Sequence, residues 1–453
     1  MSKFQLAVCK NAFLITFFGI NMIAIRSKVT HGLRLTAVAA GLWAVQHSAM
    51  AGPFLSDKAF DLTVATGGSY NPATDTITGA ASSASFSTVT ELFDKTQNGG
   101  LSAVDAAYTN TSPAVIRFGY RGLPLVLTTT NTTAITLDIP GLNVKEVFNL
   151  KGTRDANLDD VETYLKNSGG DILNRLQQLL AKTSPIDPVA GNPSSMQSRM
   201  VSDDFDRNFT NFASNVKSAE STGSEPTNNL IGIGLGFGSF TQAGLTSNVT
   251  TLPLSYTFRR DMDPRRQLTI YAPITVTEVS GAKSYGINLG ASYRVPMNDE
   301  WALVPAAGYG IAGSVDLGSA SAMMAVSLTS QYTLRMQGYD LAFGNMVGVY
   351  QSSKFTVSDY SFDPKISNTV FRNGVMASVP TTVMGKKMAL EFSFVNTLYT
   401  GTDLYSNQYN EIGVTLGTNK GANTARSYFR AGLTYLQGQN DVHGIRLNLG
   451  YWF

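Results

Sequence analysis

The sequence predicts an all-β transmembrane antiparallel β-barrel of about 12 strands behind an amino-terminal mixed helix/strand region that is periplasmic or acts as a plug. Three observations predict it. From Asn229 onward nearly every stretch alternates apolar residues with small or polar ones at a period of two. The apolar faces often end in Tyr, Trp or Phe, the residues that bilayer interfaces select. The chain also ends on such a stretch: Ile445, Leu447, Leu449, Tyr451 and Phe453 share one face, and Gly444, Arg446, Asn448 and Gly450 the other.

Composition agrees with many short strands and tight turns. The 453 residues include Gly 42, Tyr 19 and Phe 24 but Cys 1, and only 15% are charged. A net charge of +2 is too small to point to nucleic acid as a partner. Residues 1–51 read as a signal peptide: Lys3 and Lys10 precede apolar runs, and Ala49-Met50-Ala51 offers small residues around a cleavage site before Gly52. The competing reading, two membrane helices, is disfavoured because both apolar runs are shorter than a bilayer span. The sole cysteine, Cys9, falls in this leader.

Residues 52–225 form the amino-terminal region, predicted to be a periplasmic, plug or oligomerisation unit. Gly52 to Gly99 is rich in Gly, Ser, Thr and Ala and reads as loosely ordered chain, with weak alternation over 60–66. A small β-rich module is expected near 112–150, from 114–120, 123–128 and 133–139. The period then changes. Leu158, Val161, Leu165, Ile172, Leu173, Leu176, Leu179 and Leu180 form the stripe of a helix near 157–182, a packing face whose partner is open: another copy, the upstream module or the wall of a pore. Three prolines over 184–193 make a rigid connector, and a short helix carrying Met200, Phe205, Phe209 and Phe212 is expected from Met196 to Ser218.

Residues 226–453 form the barrel, with segments at 230–240, 250–260, 266–278, 283–294, 300–311, 321–336, 338–350, 366–379, 386–398, 408–418, 424–436 and 442–453. Their lengths suit tilted membrane strands. A stack of soluble sheets would alternate as well, but its greasy faces would meet in a core.

The final strand resembles that of bacterial outer-membrane β-barrel proteins, in which Phe closes the chain, an aromatic stands two before it and apolar residues alternate upstream. Phe453, Tyr451, Leu449, Leu447 and Ile445 match that pattern. The resemblance implies the outer membrane of a Gram-negative bacterium, lipid contact, and recognition of this strand by the barrel assembly machinery. A twelve-strand domain behind an exported region resembles an autotransporter translocator, although 52–225 is short and lacks β-helix repeats. The organisation is also similar to functional-amyloid secretion pores, which would imply a homotrimer and a secreted polypeptide as cargo.

The lumen is the candidate functional site. Strand parity turns Arg259, Arg335, Asp340, Arg372, Lys387, Glu391, Glu411, Arg426, Arg430 and Arg446 inward, as an ionic lining that either polarises the pore towards anions or braces it by pairing. Gly232, Gly234, Gly236 and Gly238 form a comb that a plug would contact, or one that relieves closure strain. The leucine-striped helix is one candidate occupant. No catalytic residue, metal cluster or cofactor motif emerges: His31 and His47 lie in the leader, and His443 falls at the barrel rim, facing lipid. The sequence therefore predicts a non-enzymatic pore or transporter that admits a solute or exports a polypeptide, gated or plugged by residues 52–225. The alternative is an autotransporter or adhesin that displays those residues at the surface.

Overall fold

The computed structural model describes residues 58–453 except 98–99, 131–132, 168–170, 210–228, 260–262, 264, 358–359, 419–427 and 453. The expectations for the leader, Phe212, Arg426 and Phe453 lie outside the described residues.

The amino-terminal unit is ordered from its first strand. Strands β1 (Phe60–Thr66), β2 (Ser69–Asn71), β3 (Thr76–Thr78) and β4 (Ser82–Phe86) lead to helix α1 (Val89–Gln97). Then come β5 (Ala114–Tyr120), β6 (Leu123–Thr129), β7 (Ile135–Ile139) and β8 (Val144–Phe148). Six of these strands form one antiparallel sheet in the order β4-β1-β5-β6-β7-β8, with β2 and β3 a separate hairpin. The reading of 52–99 as loosely ordered is corrected here, because β1 is an inner strand of the sheet. Its alternation is weak because both of its faces are buried, and a strand covered twice has no polar side to show.

The leucine stripe belongs to two helices, α2 (Arg154–Asn167) and α3 (Asp171–Thr183). Val161, Ile172, Leu176 and Leu180 pack on Leu123, Ile135, Leu137 and Ile139 of the sheet. The stripe therefore covers the upstream module and does not enter the pore. A buried connector then leads to α4 (Met196–Phe209), which lies inside the barrel.

The barrel strands are β9 (Leu230–Gln242), β10 (Leu245–Leu252), β11 (Leu254–Arg259), β12 (Gln267–Tyr271), β13 (Ile274–Val279), β14 (Ala282–Pro296), β15 (Trp301–Ser314) and β16 (Ser319–Arg335). They continue as β17 (Asp340–Ser353), β20 (Ser367–Val383), β21 (Lys386–Gly401), β22 (Gln408–Thr418), β23 (Tyr428–Gly438) and β24 (His443–Trp452), with a loop hairpin of β18 (Phe355–Val357) and β19 (Tyr360–Phe362). Pro253 separates β10 from β11, and Pro273 separates β12 from β13, since proline has no N–H to give the ladder. Each pair is one broken wall strand, so the described residues make twelve wall strands. Closure is direct: β24 pairs with β9 antiparallel, with Arg446 opposite Gly238, Asn448 opposite Gly236 and Gly450 opposite Gly234.

The greasy faces do not meet in a core. Ile233, Leu289, Val326, Phe392, Ile412 and Ile445 are all exposed on the outside, with Leu289 60% and Val326 66% accessible. An outward apolar belt on a closed barrel rules out the soluble sandwich and suits a lipid surround, in which every backbone group must be satisfied within the wall. No helix among the described residues is long and apolar enough to cross a membrane.

The amino-terminal unit sits on one rim. Strand β9 starts and β24 ends at the opposite, terminal rim, because an even number of strands returns the chain to the side where it began. At the domain rim, Ala59, Phe60 and Phe86 share a core with Leu245, Val279, Ala282 and Leu317 from the barrel turns. Val89 N donates to Asp316 O at 2.9 Å, and Tyr120 Oη to Gly318 O at 2.6 Å. The connector is pinned there too: Arg121 and Asp187 form a buried ion pair at 2.7 Å, and Tyr405 N donates to Ala181 O at 2.9 Å. Burial raises the Asp187 carboxyl, against the opposing pull of Arg121.

Candidate functional site: the occupied lumen

Helix α4 runs through the lumen from the domain rim towards the terminal rim, and its 14 residues span about 21 Å at 1.5 Å per residue. Its large apolar side chains fit sockets where the wall carries glycine. A Cβ at Gly310 would lie 2.7 Å from Met200 Sδ and 3.2 Å from Met196 Sδ. At Gly344 it would meet Phe209 Cδ2 at 2.5 Å, and at Gly374 Phe209 Cε1 at 2.9 Å. At 2.5–2.9 Å a Cβ would be closer than real contacts allow, so a residue larger than glycine at these positions would have to displace Met200 or Phe209.

Polar groups lock the same helix. The Asp204 carboxylate, buried, accepts Tyr271 Oη at 2.7 Å and Tyr350 Oη at 2.8 Å, and the Arg207 guanidinium stacks 3.4 Å from the Tyr271 ring centroid. Gln197 Nε2 donates to Asn368 Oδ1 at 2.8 Å, and Arg199 Nη1 to Thr277 Oγ1 at 2.8 Å. Asp206 bridges two arginines of the wall, at 3.2 Å from Arg372 Nη2 and 3.0 Å from Arg446 Nη2.

The sequence-selected ionic residues divide into two groups. Arg372, Glu391, Glu411 and Arg430 are buried in the interior, and Arg446 is half-buried beside them. Glu411 pairs with Arg372 at 2.6 Å and with Arg446 at 3.5 Å, and Arg430 pairs with Glu391. The second group is at the terminal rim. Arg335 and Lys387 are exposed, Asp340 is half-buried opposite Arg335 in the strand register, and half-buried Arg259 donates its backbone N–H to Asn229 Oδ1 at 3.1 Å. Among the described residues these interior charges thus pair across the wall and with the helix. His443 stands at the domain rim with Nδ1 2.9 Å from Asp441 O.

The glycine comb takes a different position from the one a tight plug requires. A Cβ at Gly232 would meet Ser255 and Trp452, at Gly234 Leu449 and Pro253, at Gly236 Asn448 and Thr251, and at Gly238 Phe240. All of these neighbours belong to the wall. Helix α4 leans on the far side of the barrel, and a cavity of about 200 Å³ separates the comb from Arg199, Ser202, Asp203 and Asp206 on its polar face. Gly310, Gly344 and Gly374 receive the apolar side chains of the helix, and Gly286 its Arg199. Sequence parity places these inward too, but only the helix register shows which glycines it meets.

Asp204, Asp206, Tyr271 and Tyr350 were not singled out from sequence. A signal was present: Met196, Met200, Phe205 and Phe209 recur at helical spacing, with acids at 203, 204 and 206 between them, in a chain whose inward strand positions are rich in arginine. Among the described residues no group of His, Cys, Asp or Glu could hold a metal ion.

The described residues define a closed twelve-strand barrel with an outward apolar belt and a helix of the same chain in its lumen. The sequence matches no protein-family model and no curated protein. Among solved structures it is similar to the β domain of the Bordetella autotransporter BrkA, with 12% identity, 51% of this chain and 99% of that chain covered, and a TM-score of 0.37. It is similar to the translocator domain of the autotransporter NalP from Neisseria meningitidis, with 13% identity, 52% and 91% covered, and a TM-score of 0.37. It is also similar to an outer membrane channel from Pseudomonas putida F1, with 14% identity, 51% and 97% covered, and a TM-score of 0.34.

Proposed function

We propose that the protein is an outer-membrane pore of a Gram-negative bacterium, held shut by its own amino-terminal region. The observation that carries this reading is the fit of α4 to its sockets: Met200, Phe205 and Phe209 fill the space over Gly310, Gly344 and Gly374. A wall shaped around a helix treats it as a resident. Residues 52–225 then act as plug and rim cap, and 226–453 as the conducting barrel. The outward apolar belt supports lipid as the surround, and Ile445, Leu447, Leu449, Tyr451 and Phe453 are the positions through which the assembly machinery would recognise the chain. Planar-bilayer recording tests the plug. Full-length protein is expected to be nearly silent and protein lacking residues 52–225 to conduct; silence in both forms would sink the pore.

A second reading is favoured by one observation, the seating of residues 58–183 on the rim remote from both barrel ends. If the terminal rim faces the periplasm, that unit stands outside the cell and the barrel is the anchor of a displayed domain. Protease added to whole cells decides this, because a displayed unit is cut and a periplasmic one is protected. The homotrimer implied by similarity to secretion pores is tested by cross-linking in membranes.

A further inference from the structure

Arg372 and Arg446 come from β20 and β24, strands separated in the wall by three others. Their Nη2 atoms nevertheless converge on one carboxylate, Asp206 of the helix, one on each oxygen. Each arginine is also held from the wall itself. Glu411 pairs with both, and Arg372 Nη1 donates to Thr397 Oγ1 at 2.7 Å. This brace does not depend on the helix. Without Asp206 the wall would keep two guanidinia against one carboxylate, a net charge of +1 by count of these groups.

We infer that Arg372 and Arg446 form a seat for a carboxylate-bearing solute, and that Asp206 is its tethered occupant in the closed state. The inference rests on the plug reading and adds to it a ligand class and a means of release. Two guanidinia aimed at separate oxygens match the planar carboxylate, and charge-assisted bonds of this kind are among the stronger polar contacts. Glu411 leaves the seat suited to a single negative charge. The cavity beside the glycine comb is lined by Asp206, Glu411, Arg446 and Asn448, so it adjoins the Arg446 side of the seat. A tethered ligand acts at an effective concentration on the order of millimolar. An acidic solute at comparable concentration competes with Asp206 and so loosens the contact that holds the helix to the seam side of the wall.

The test uses full-length protein in detergent, with sodium acetate titrated against sodium chloride at matched ionic strength. Asp206→Gly empties the seat. It is expected to bind acetate saturably, read by line broadening of isotope-labelled acetate and by an acetate-dependent rise in melting temperature. Wild-type protein, whose seat is filled, should respond far less, and the double variant D206G/R446Q should lose the saturable component. A folded D206G with no saturable acetate binding, or with binding equal to that of D206G/R446Q, would overturn the assignment. If D206G does not fold, D206S carries the same comparison. Conductance is not read here, so failure of acetate binding leaves the plug standing, and a conducting wild type would sink the plug without altering the acetate result.

Discussion

Asp204 shows how a single side chain fixes the helix. It draws Tyr271 from β12 and Tyr350 from β17 onto its two oxygens inside a water-poor layer. Asp204→Ala leaves both hydroxyls without that acceptor, and each unsatisfied buried group costs about 1–3 kcal/mol. The expected outcome is a lower unfolding temperature together with raised bilayer conductance, because the helix loses its hold while the wall remains. Glu391→Gln separates stability from gating. It strips the buried Arg430 of its charge partner on the wall, and breaking such a pair typically costs about 3–5 kcal/mol. Heat-modified gel mobility should report a weaker barrel while the full-length protein remains silent in the bilayer. The charged positions picked by parity, Arg426 outside the described residues excepted, stand in the interior or at the rim, but their pairing was not legible. Parity gives the side of the wall, whereas Arg372–Glu411 and Arg430–Glu391 join strands whose spacing around the ring only the closed structure sets.

Among the elements, α4 and the glycines of β15, β17 and β20 form one fitted joint. Gly344→Leu puts a branched side chain where Phe209 and Phe205 already stand, and overpacking of this kind costs typically about 1–3 kcal/mol. It is expected to expel the helix and open the pore. Gly236→Leu, which faces the cavity, should leave the helix in place, and the contrast is measured by conductance of the two variants. A different control is found in the amino-terminal sheet. Asp105 accepts Thr66 Oγ1 at 2.8 Å and Ala107 N at 3.0 Å, bonds that hold its carboxyl below the usual aspartate value of 3.8. A depressed carboxyl stabilises above its unfolded value and loses that contribution as pH falls through the folded one. Stability of this unit should therefore drop as the medium becomes more acid than pH 3.8, and Asp105→Asn should flatten the drop in circular-dichroism melts. Element legibility followed burial. Strands with one greasy and one polar side, such as β14 and β24, were read almost to the residue. The inner strand β1 hid its period because it is covered on both faces, and the leucine stripe gave its helices but not the sheet they cover.

Over the whole molecule, closure was the most legible feature, since alternation to the last residue leaves two edge strands that a lipid surround would not tolerate unpaired. The route of the chain was not legible. Helical spacing in 196–209 does not reveal that the helix passes through the ring, because its partners are inward residues from β12 to β24 that lie far away in sequence. That route is also a matter of topology. The amino-terminal unit is packed on one rim, the first wall strand starts at the other, and α4 lies inside a ring closed by the β9–β24 seam. Assembly must therefore bring α4 into a ring whose closing seam belongs to the same chain. Either the seam zips around α4 after the amino-terminal unit has folded, or that unit folds and seats α4 after the ring has closed. Trapping the seam early, for instance with a β9–β24 disulfide at Ser239→Cys and Ile445→Cys, should block maturation in the first case and leave it unaffected in the second.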